Sequence, residues 1–458
     1  MNKYLNLIKN TALFGIGNVL SKIILFLLMP LYTSVLSTSE YGIAEMFSTS
    51  LELFFPLITL GVSEAVFRYT IDKNDNVHET ISIGFFITTL GLILSILISF
   101  LLSNFFGNYF VLLIFMILTY SYKTLFSYAS RGLEKNAEFA ISGILNTFIL
   151  AVSNIYFLKI MKIGLNGYLL SIIISNSVSA LYLLICSKLY KYISVSYFKK
   201  NKCLLMLRYC IPTIPNQLSW WIINMSGRYI LLFFFSNGLV GLYTAASKIP
   251  STINIITQMF QQAWQFSSSQ EINSNSSLVF YSKIYKVFLS LMVMSTSIII
   301  TFSPLIAKFL LKGNFYSSWK FIPMLLIVSF LNSISMFFGT FYVAYKKSNM
   351  LMYSTILGVI INVCTGIPLG YLFSIEGITF SSLLTYLVLV LVRIYDTQKF
   401  VEINLFIKMS LILFVLLLSQ VVLIRVNILY SLIITFIIII ILLFFLKNQI
   451  AVIYNRFR

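Results

Sequence analysis

Charged residues are scarce in this sequence of 458 residues. They make up 10% of it, against about a quarter in soluble domains, whereas hydrophobic residues make up 59% and the mean hydropathy is +0.94. Because a water-facing fold cannot bury so much apolar surface, the composition predicts an all-α integral membrane protein. It excludes soluble enzymes and nucleic-acid-binding domains. We assign the net charge of +19 to cytoplasmic loops beside anionic lipid headgroups.

Residues typical of catalytic and metal sites are scarce as well. The chain has one histidine and four cysteines, and no cysteine pair has the CxxC spacing of a zinc site. The sequence contains neither a GxxxxGK[ST] phosphate loop nor an HExxH motif. We therefore expect a protein that is not an enzyme, holds no metal or cofactor, and carries no ATP motor of its own.

Long apolar runs, in contrast, fill most of the chain. A helix needs about 20 apolar residues to cross the hydrocarbon, and this length predicts about fourteen transmembrane helices. The predicted spans cover 11–35, 42–67, 80–103, 109–129, 139–160, 165–187, 211–235, 240–266, 284–310, 321–345, 350–373, 377–395, 404–424 and 427–446.

The distribution of basic residues supports this count. With fourteen spans, 23 of the 32 Lys and Arg residues fall on one side of the membrane, Lys123 and Arg393 among them, and six on the other. Cytoplasmic loops are the ones enriched in Lys and Arg. We therefore expect a multi-pass membrane protein with both termini in the cytoplasm.

A weak internal repeat predicts two lobes. Gly42 and Gly167 open the second and sixth spans, 125 residues apart, and Gly241 and Gly377 open the eighth and twelfth, 136 apart. The alternative is a chance placement of glycines at helix starts. A true repeat predicts two six-helix bundles related by a pseudo-two-fold axis. The predicted parts are lobes at 1–187 and 211–400, a basic cytoplasmic linker in the membrane interface at 188–210, and helices 13–14 with a basic tail at 401–458.

Polar stripes occur on the first two helices of each predicted lobe, and the pseudo-symmetry would bring them to one central cavity. Charges inside a membrane usually face protein or water. The cations Lys22, Arg228 and Lys248 suit an anion such as phosphate. The carboxylates Glu45 and Glu52 can titrate or hold Na⁺ and so couple transport to H⁺ or Na⁺. The alternative for each residue is a structural ion pair or a snorkelling side chain. The residues are Asn18 and Lys22 in span 1, Glu45 and Glu52 in span 2, Asn224 and Arg228 in span 7, and Lys248 and Gln258 in span 8.

Other polar residues are expected to be structural. Glu64 and Arg68 are four residues apart and predict a local ion pair, and His78 is expected to be solvated in a loop. Spans 13 and 14 show no polar stripe before Arg425.

Four stretches resemble a known family. They are LGVSEAVFRY (60–69), RGLEKNAEF (131–139), the prolines Pro212 and Pro215, and the run SGRYILLFFFSNGLVGLYTAASKIP (226–250). They resemble the polysaccharide flippase branch of the multidrug/oligosaccharidyl-lipid/polysaccharide exporter superfamily, the Wzx-like O-antigen and capsule repeat-unit translocases. The similarity covers essentially the whole chain.

This resemblance implies a V-shaped pair of six-helix bundles with alternating access. The implied substrate is an undecaprenyl-pyrophosphate-linked oligosaccharide, flipped from the cytoplasmic to the outer leaflet. Membrane lipids, a polysaccharide polymerase and a chain-length regulator are the implied partners. Arg228 and Lys248 match basic positions of the family. Many relatives have an acidic residue before the arginine, where this chain has Gly227, so Glu45 or Glu52 would have to serve instead.

Three alternatives remain open. A multidrug/cation antiporter of the same superfamily would favour an acidic, aromatic cavity, which the surplus of cations disfavours. A peptidoglycan-precursor flippase differs only in its substrate. A membrane polymerase or glycosyltransferase would need a large catalytic loop or domain that this chain lacks.

Overall fold

The computed structural model describes residues 21–72, 75–101, 109–270, 277–345 and 347–456. Over these residues all regular secondary structure is helical, and no β-strand is present. This confirms the predicted all-α class.

The chain divides into two compact units, Met1–Met225 and Ser226–Arg458. The helices that begin in the first unit are α1 (Ser21–Val35), α2 (Thr38–Ile58), α3 (Val62–Ile71), α4 (Val77–Leu101), α5 (Phe110–Gly132), α6 (Asn136–Asn154, continued by a π-helix Ile155–Ile160), α7 (Gly164–Cys186), α8 (Lys200–Cys210) and α9 (Ile214–Phe234). The second unit contains α10 (Asn237–Lys248), α11 (Ser251–Gln270), α12 (Ser277–Leu310), α13 (Ile322–Ala344), α14 (Ser348–Gln398), α15 (Ile407–Leu423) and α16 (Ile428–Arg456). The predicted lobes and linker boundaries stay predictions.

Eight of the described helices are long and apolar enough to cross a membrane, and the bent pair α2–α3 would make a ninth. The helices α1 and α15 are shorter apolar helices. Spans 11 and 12 form the two parts of α14, which are separated by a non-helical residue, Ser374. The chain is therefore a multi-pass membrane protein. The described part of each of the fourteen predicted spans overlaps helical structure, and span 8 is divided between α10 and α11.

Span 2 is broken, so the prediction of one continuous helix over 42–67 is wrong. The axes of α2 and α3 differ in direction by 64°. Leu60 and Gly61 have φ angles of +50° and +67°, in the left-handed region that glycine adopts without steric cost. The break brings the backbone carbonyl of Ile58 against α4 at Gly91, where a Cβ atom would lie 1.9 Å from that oxygen.

The predicted linker packs closely on the first unit. Leu189, Met206 and Cys210 are fully buried in the core that also contains Val62 and Leu183. A hydrophobic core and not only a membrane surface therefore fixes the position of residues 188–210.

Charged and polar contacts add to this packing. Lys199 pairs with Glu79, and Lys202 pairs with Asp75. His78 lies in α4, partly buried, with its ring centroid 4.7 Å from that of Tyr192 and 4.9 Å from that of Tyr197. The expectation that His78 is solvated in a loop is wrong, because the linker covers the start of α4.

Two linker cysteines should show suppressed thiol reactivity. Burial raises the pKa of the Cys203 thiol and raises the pKa of the Cys210 thiol from 9.0 to about 11. Because the thiolate is the reactive species, two pKa units reduce the reactive fraction of Cys210 about 100-fold at neutral pH. We expect maleimide to label the exposed Cys186 first, and labelling of Cys203 to keep rising above pH 9. Mass spectrometry of peptides labelled between pH 6.5 and 10 measures this, and equal rates at Cys186 and Cys210 would contradict it.

Arg393, which the charge distribution in the sequence assigns to the cytoplasmic side, is buried in the second unit. Arg393 is only 1% exposed, and its guanidinium donates to the Ser335 carbonyl at 3.0 Å and to the hydroxyls of Ser354 and Thr355. It is a buried residue within α14 that three hydrogen bonds hold in place, and its assignment to the cytoplasmic side stays a prediction.

A buried amide connects the last two helices to α12. Gln420 of α15 donates to the hydroxyl of Thr301 at 2.7 Å and to that of Thr435 at 2.8 Å. Ser431 of α16 shares this cluster, with its hydroxyl 3.1 Å from the Gln420 amide. Spans 13 and 14 thus contribute one amide and two hydroxyls to a small buried cluster, which the sequence pattern of neither span predicts.

Candidate functional site

The carboxylate of Glu45 lies in a cluster of tyrosines in the first unit. Glu45 is only 6% exposed, and the Tyr168 hydroxyl donates to its Oε1 at 3.3 Å. The Tyr168 ring packs edge-on against Tyr32 and Tyr41, with centroids 5.1 and 6.4 Å away. The helices α1, α2 and α7 thus enclose one acidic group among aromatic hydroxyls, which can stabilise either of its protonation states.

The other carboxylates of the first two spans lie in different surroundings. Glu52, two turns after Glu45 on α2, is exposed. Glu64 accepts a hydrogen bond from the Gln217 amide at 3.0 Å, while Arg68 pairs with Asp72 at 3.9 Å. The predicted Glu64–Arg68 pair is therefore wrong, because the bend at Gly61 brings Glu64 to the start of α9.

The other predicted site residues that the structure describes in the first unit lie on α1 and α9. Lys22 lies partly buried on α1, and Asn18 lies outside the described residues. Asn224 is exposed near the middle of α9, where its amide donates to the Trp220 carbonyl at 2.8 Å. Trp221 of the same helix donates its indole N–H to the Thr49 carbonyl of α2 at 2.9 Å.

Arg228 is the most enclosed predicted cation. It is 8% exposed, and its Nε donates to the Thr244 hydroxyl at 3.0 Å. Its guanidinium lies 5.8 Å from the centre of the Tyr243 ring, within the range of a cation–π contact. Neighbouring residues on α10 therefore fix the position of this cation in the second unit.

Lys248 and Gln258 lie on either side of the break between α10 and α11. Lys248 is partly buried in the last turn of α10, one turn after Thr244, and Gln258 is exposed on α11. A cation and an amide of the second unit are thus accessible on the two helices that form span 8.

The glycine before Arg228 has a structural cause. A Cβ atom at Gly227 would lie 2.4 Å from a methyl carbon of Ile378, far inside van der Waals contact. An acidic side chain would not fit there without moving α14. This packing is a steric reason for a glycine at that position.

Sequence reasoning missed a polar chain among α5, α6 and α7. The Lys123 ammonium group donates a hydrogen bond to the side-chain oxygen Oδ1 of Asn146 at 3.4 Å. The side-chain amide of Asn146 donates in turn to Oδ1 of Asn176 at 3.1 Å. Lys123 lies nine residues before the end of α5, and its assignment to the cytoplasmic side stays a prediction. Within the described chain, Asn146 is the only hydrogen-bond partner of the Lys123 ammonium group. Two asparagines in otherwise apolar spans were the available signal.

Lys123 is expected to reduce stability and to support activity. A lysine near the bilayer centre costs about 2.5–3.5 kcal/mol, and one neutral acceptor offsets only part of that cost. We expect Lys123→Met to increase the free energy of unfolding by roughly 1–2 kcal/mol and to reduce transport. Thermal unfolding and a transport assay on the same preparation measure both effects. Lys159→Met, at an exposed lysine, is the control, and a loss of stability in Lys123→Met would contradict the expectation.

The described residues contain no group of three or more His, Cys, Asp or Glu side chains that could hold a metal ion. Among the predicted site residues, the first unit encloses the carboxylate of Glu45 and the second unit encloses the guanidinium of Arg228. A carboxylate can bind and release a proton, and a guanidinium can bind an anion.

Comparison with known proteins identifies related sequences and folds. The profile of a family described as polysaccharide biosynthesis protein matches residues 7–265. No curated protein matches the chain.

Three solved structures show the same fold. A lipid II flippase MurJ in an inward closed conformation has a TM-score of 0.73 and 16% identity, with 96% of this chain and 100% of that chain covered. An inward-facing multidrug resistance MATE transporter has a TM-score of 0.66 and 14% identity, over 83% and 95% of the two chains. A MOP superfamily transporter from Pyrococcus furiosus, described as having a binding pocket of reverse polarity, has a TM-score of 0.59 and 15% identity, over 86% and 95%.

Proposed function

The chain belongs to the polysaccharide biosynthesis protein family, and from that premise we propose that it is a lipid-linked oligosaccharide flippase. It moves undecaprenyl-pyrophosphate-linked repeat units from the cytoplasmic to the outer leaflet of a bacterial inner membrane. The product supplies O-antigen or capsule synthesis, and transport proceeds by ion-coupled alternating access.

The enclosure of Arg228 is the observation that carries this proposal. A charged side chain at membrane depth is costly and is retained mainly where it serves a pathway or a ligand. The Thr244 hydroxyl and the Tyr243 ring hold the guanidinium in place. A guanidinium presents several N–H donors in a planar fork that matches two phosphate oxygens, so Arg228 suits the pyrophosphate of the substrate.

The other predicted residues take supporting roles in the proposal. Lys248 and Lys22 add positive charge for the second phosphate, as compact ammonium groups. The exposed amides of Asn224 and Gln258 provide donors and acceptors for sugar hydroxyls, and Asn18 joins them. The prenyl chain stays in lipid, because it needs no polar contact.

Glu45 is the proposed coupling residue. Its carboxylate accepts a hydrogen bond from the Tyr168 hydroxyl and lies in a tyrosine cluster. A proton can be bound and released there without exposure to lipid. Protonation from the outer side would reset the transporter after each substrate leaves. Glu52 is exposed and is the second position proposed for H⁺ or Na⁺.

Replacing Glu45 by glutamine separates coupling from binding. The amide has nearly the same shape and cannot ionise, so we expect substrate affinity within about threefold of wild type and loss of the pH dependence of transport. Flipping of fluorescent lipid-linked oligosaccharide in proteoliposomes, with the outside at pH 6 or 8, measures this. Glu52→Gln is the paired variant. A full pH response in both single variants and in the double variant would rule out carboxylate coupling.

A gene deletion in the source bacterium tests the proposed function. Lipid-linked repeat units should accumulate in the cytoplasmic leaflet, and surface polysaccharide should be lost. The wild-type gene should restore both at native expression. Normal polysaccharide with no accumulated lipid would overturn the proposal.

The same deletion strain separates two alternatives. Glu45 in its tyrosine cluster is an acidic, aromatic site of the kind that suits cationic compounds, which favours a multidrug/cation antiporter as the second candidate. Increased sensitivity to cationic drugs with unchanged polysaccharide would support that candidate. Accumulation of peptidoglycan precursors alone would instead indicate a peptidoglycan-precursor flippase.

A further inference from the structure

An apolar groove lies on the first unit, between the end of α2, one side of α4 and the linker. Its volume is about 880 Å³. Leu57 and Leu60 line it at the helix break, Phe86 and Leu94 line it along α4, and Phe198 and Leu207 line it from the linker. Apart from Gly91, Ser95 and Cys203, all its lining residues are Leu, Ile, Val or Phe. We call this feature the linker groove.

The break in span 2 forms the linker groove. The helix α2 ends at Ile58, and the chain turns by 64° into α3, so one side of α4 is left uncovered beyond the turn. Leu90 of α4 is 59% exposed, and Val195 of the linker is 74% exposed. The groove is therefore lined by exposed apolar side chains, and the contact of these side chains with water is unfavourable.

The length of the linker groove matches one leaflet of a bilayer. Its lining residues along α4 run from Phe86 to Ser95, and nine residues of helix span about 14 Å. The hydrocarbon core of a bilayer is about 30 Å thick, so each leaflet contributes about 15 Å. One end of the groove lies at the linker, which the charge distribution places in the cytoplasm.

Two cations without partners border the linker groove. On α8, Cys203 and Leu207 line the groove, and the next row on the helix surface is Lys200, Leu204 and Arg208, spaced by one turn. Among the described residues, the side chains of Lys200 and Arg208 form no hydrogen bond and no ion pair. The neighbouring Lys199 and Lys202 are instead paired with Glu79 and Asp75.

We propose that the linker groove binds an anionic phospholipid of the cytoplasmic leaflet. One hydrocarbon chain lies along α4, and the phosphate is bound by Lys200 and Arg208. The apolar lining requires a hydrocarbon occupant, its length fits one leaflet, and the bordering cations select a headgroup with net negative charge. The bound lipid fills the surface left open by the helix break and joins the linker to α4. This site does not depend on what the protein transports.

Lipid titration of the purified full-length protein in detergent tests the headgroup contact. Native mass spectrometry should show tighter binding of phosphatidylglycerol than of phosphatidylcholine with the same chains. Two cations near a membrane surface contribute enough for a roughly 30-fold loss of phosphatidylglycerol affinity in the double variant K200Q/R208Q. The control is K188Q/K191Q, which removes two exposed linker cations that do not lie on that row of α8, and its affinity should stay within about twofold of wild type.

A second variant tests the position of the hydrocarbon chain. Leu90→Trp fills the groove from an exposed position on α4 and should weaken phosphatidylglycerol binding while the protein remains folded by its unfolding temperature. In the wild type, added phosphatidylglycerol should slow maleimide labelling of Cys203, which lines the groove, and leave labelling of Cys186 unchanged.

Four results would overturn the proposal. They are equal affinity for the two lipids, an equal loss of affinity in the control K188Q/K191Q, unchanged binding in Leu90→Trp, and displacement of phosphatidylglycerol by an equal concentration of a polyprenyl phosphate. The last result would assign the groove to the carrier lipid. Because both lipids are tested on purified protein without transport, failure here leaves the proposed flippase function unaffected.

Discussion

Replacing Arg228 by alanine is expected to reduce transport of lipid-linked oligosaccharide about 100-fold. Two charge-assisted hydrogen bonds to a phosphate contribute about 1.5 kcal/mol each, and a loss of about 3 kcal/mol corresponds to slightly more than two orders of magnitude. The substrate would lose the group that Thr244 and Tyr243 now hold in position. Flipping rates in proteoliposomes and surface polysaccharide in the complemented deletion strain measure the effect.

Two further variants make the result specific to Arg228. Arg228→Lys keeps the charge without the planar fork, so transport should fall by only about tenfold. Arg68→Ala removes an arginine whose contact is an exposed pair with Asp72, and it should transport like the wild type. If Arg228→Ala transported like the wild type at an equal protein level, Arg228 would not belong to the substrate site. If Arg68→Ala lost as much transport as Arg228→Ala, the loss would reflect a general effect of charge.

Replacing Gly91 by alanine is expected to cause a large loss of stability. The added Cβ would lie 1.9 Å from the Ile58 backbone oxygen and 2.9 Å from its carbonyl carbon. Since both are backbone atoms, α2 and α4 must move apart, and overpacking of this severity costs about 3 kcal/mol or more. We expect a markedly lower yield of folded protein and a lower unfolding temperature, measured by size-exclusion chromatography and thermal unfolding in detergent.

Gly143 on α6 is the matched control. It also lies within a helix, and a Cβ atom there would have no neighbour within 4 Å. Gly143→Ala should therefore stabilise the protein by about 0.5–1 kcal/mol, because alanine favours the helix. If the two variants behaved alike, the close approach of α2 and α4 at the break would be wrong.

Several features of the fold followed from the sequence. Apolar runs of about 20 residues, the length of a transmembrane helix, predicted every helix from α1 to α16 except α8, which lies in the predicted linker. The run from Ser226 to Pro250 indicated the family, and the family profile supports that assignment over residues 7–265.

The candidate site was predicted less completely. The sequence selected Glu45 and Glu52 as equivalent members of one stripe, but one is buried among tyrosines and the other is exposed. It did not predict the hydrogen bond between Lys123 and Asn146, which joins two helices of the first unit. Periodicity shows which residues share a helix face and not which helix lies against that face.

The sequence by itself determined that the chain is an integral membrane protein, because a water-soluble fold could not bury 59% hydrophobic residues with only 10% charged residues. It also determined which residues are polar within apolar spans. Only the tertiary structure decided the break at Gly61, the burial of Arg393 and the packing of the linker against α4. The physical reason is that hydropathy depends on each residue's own chemistry and on local spacing, whereas these three features arise from contacts between segments far apart in the chain.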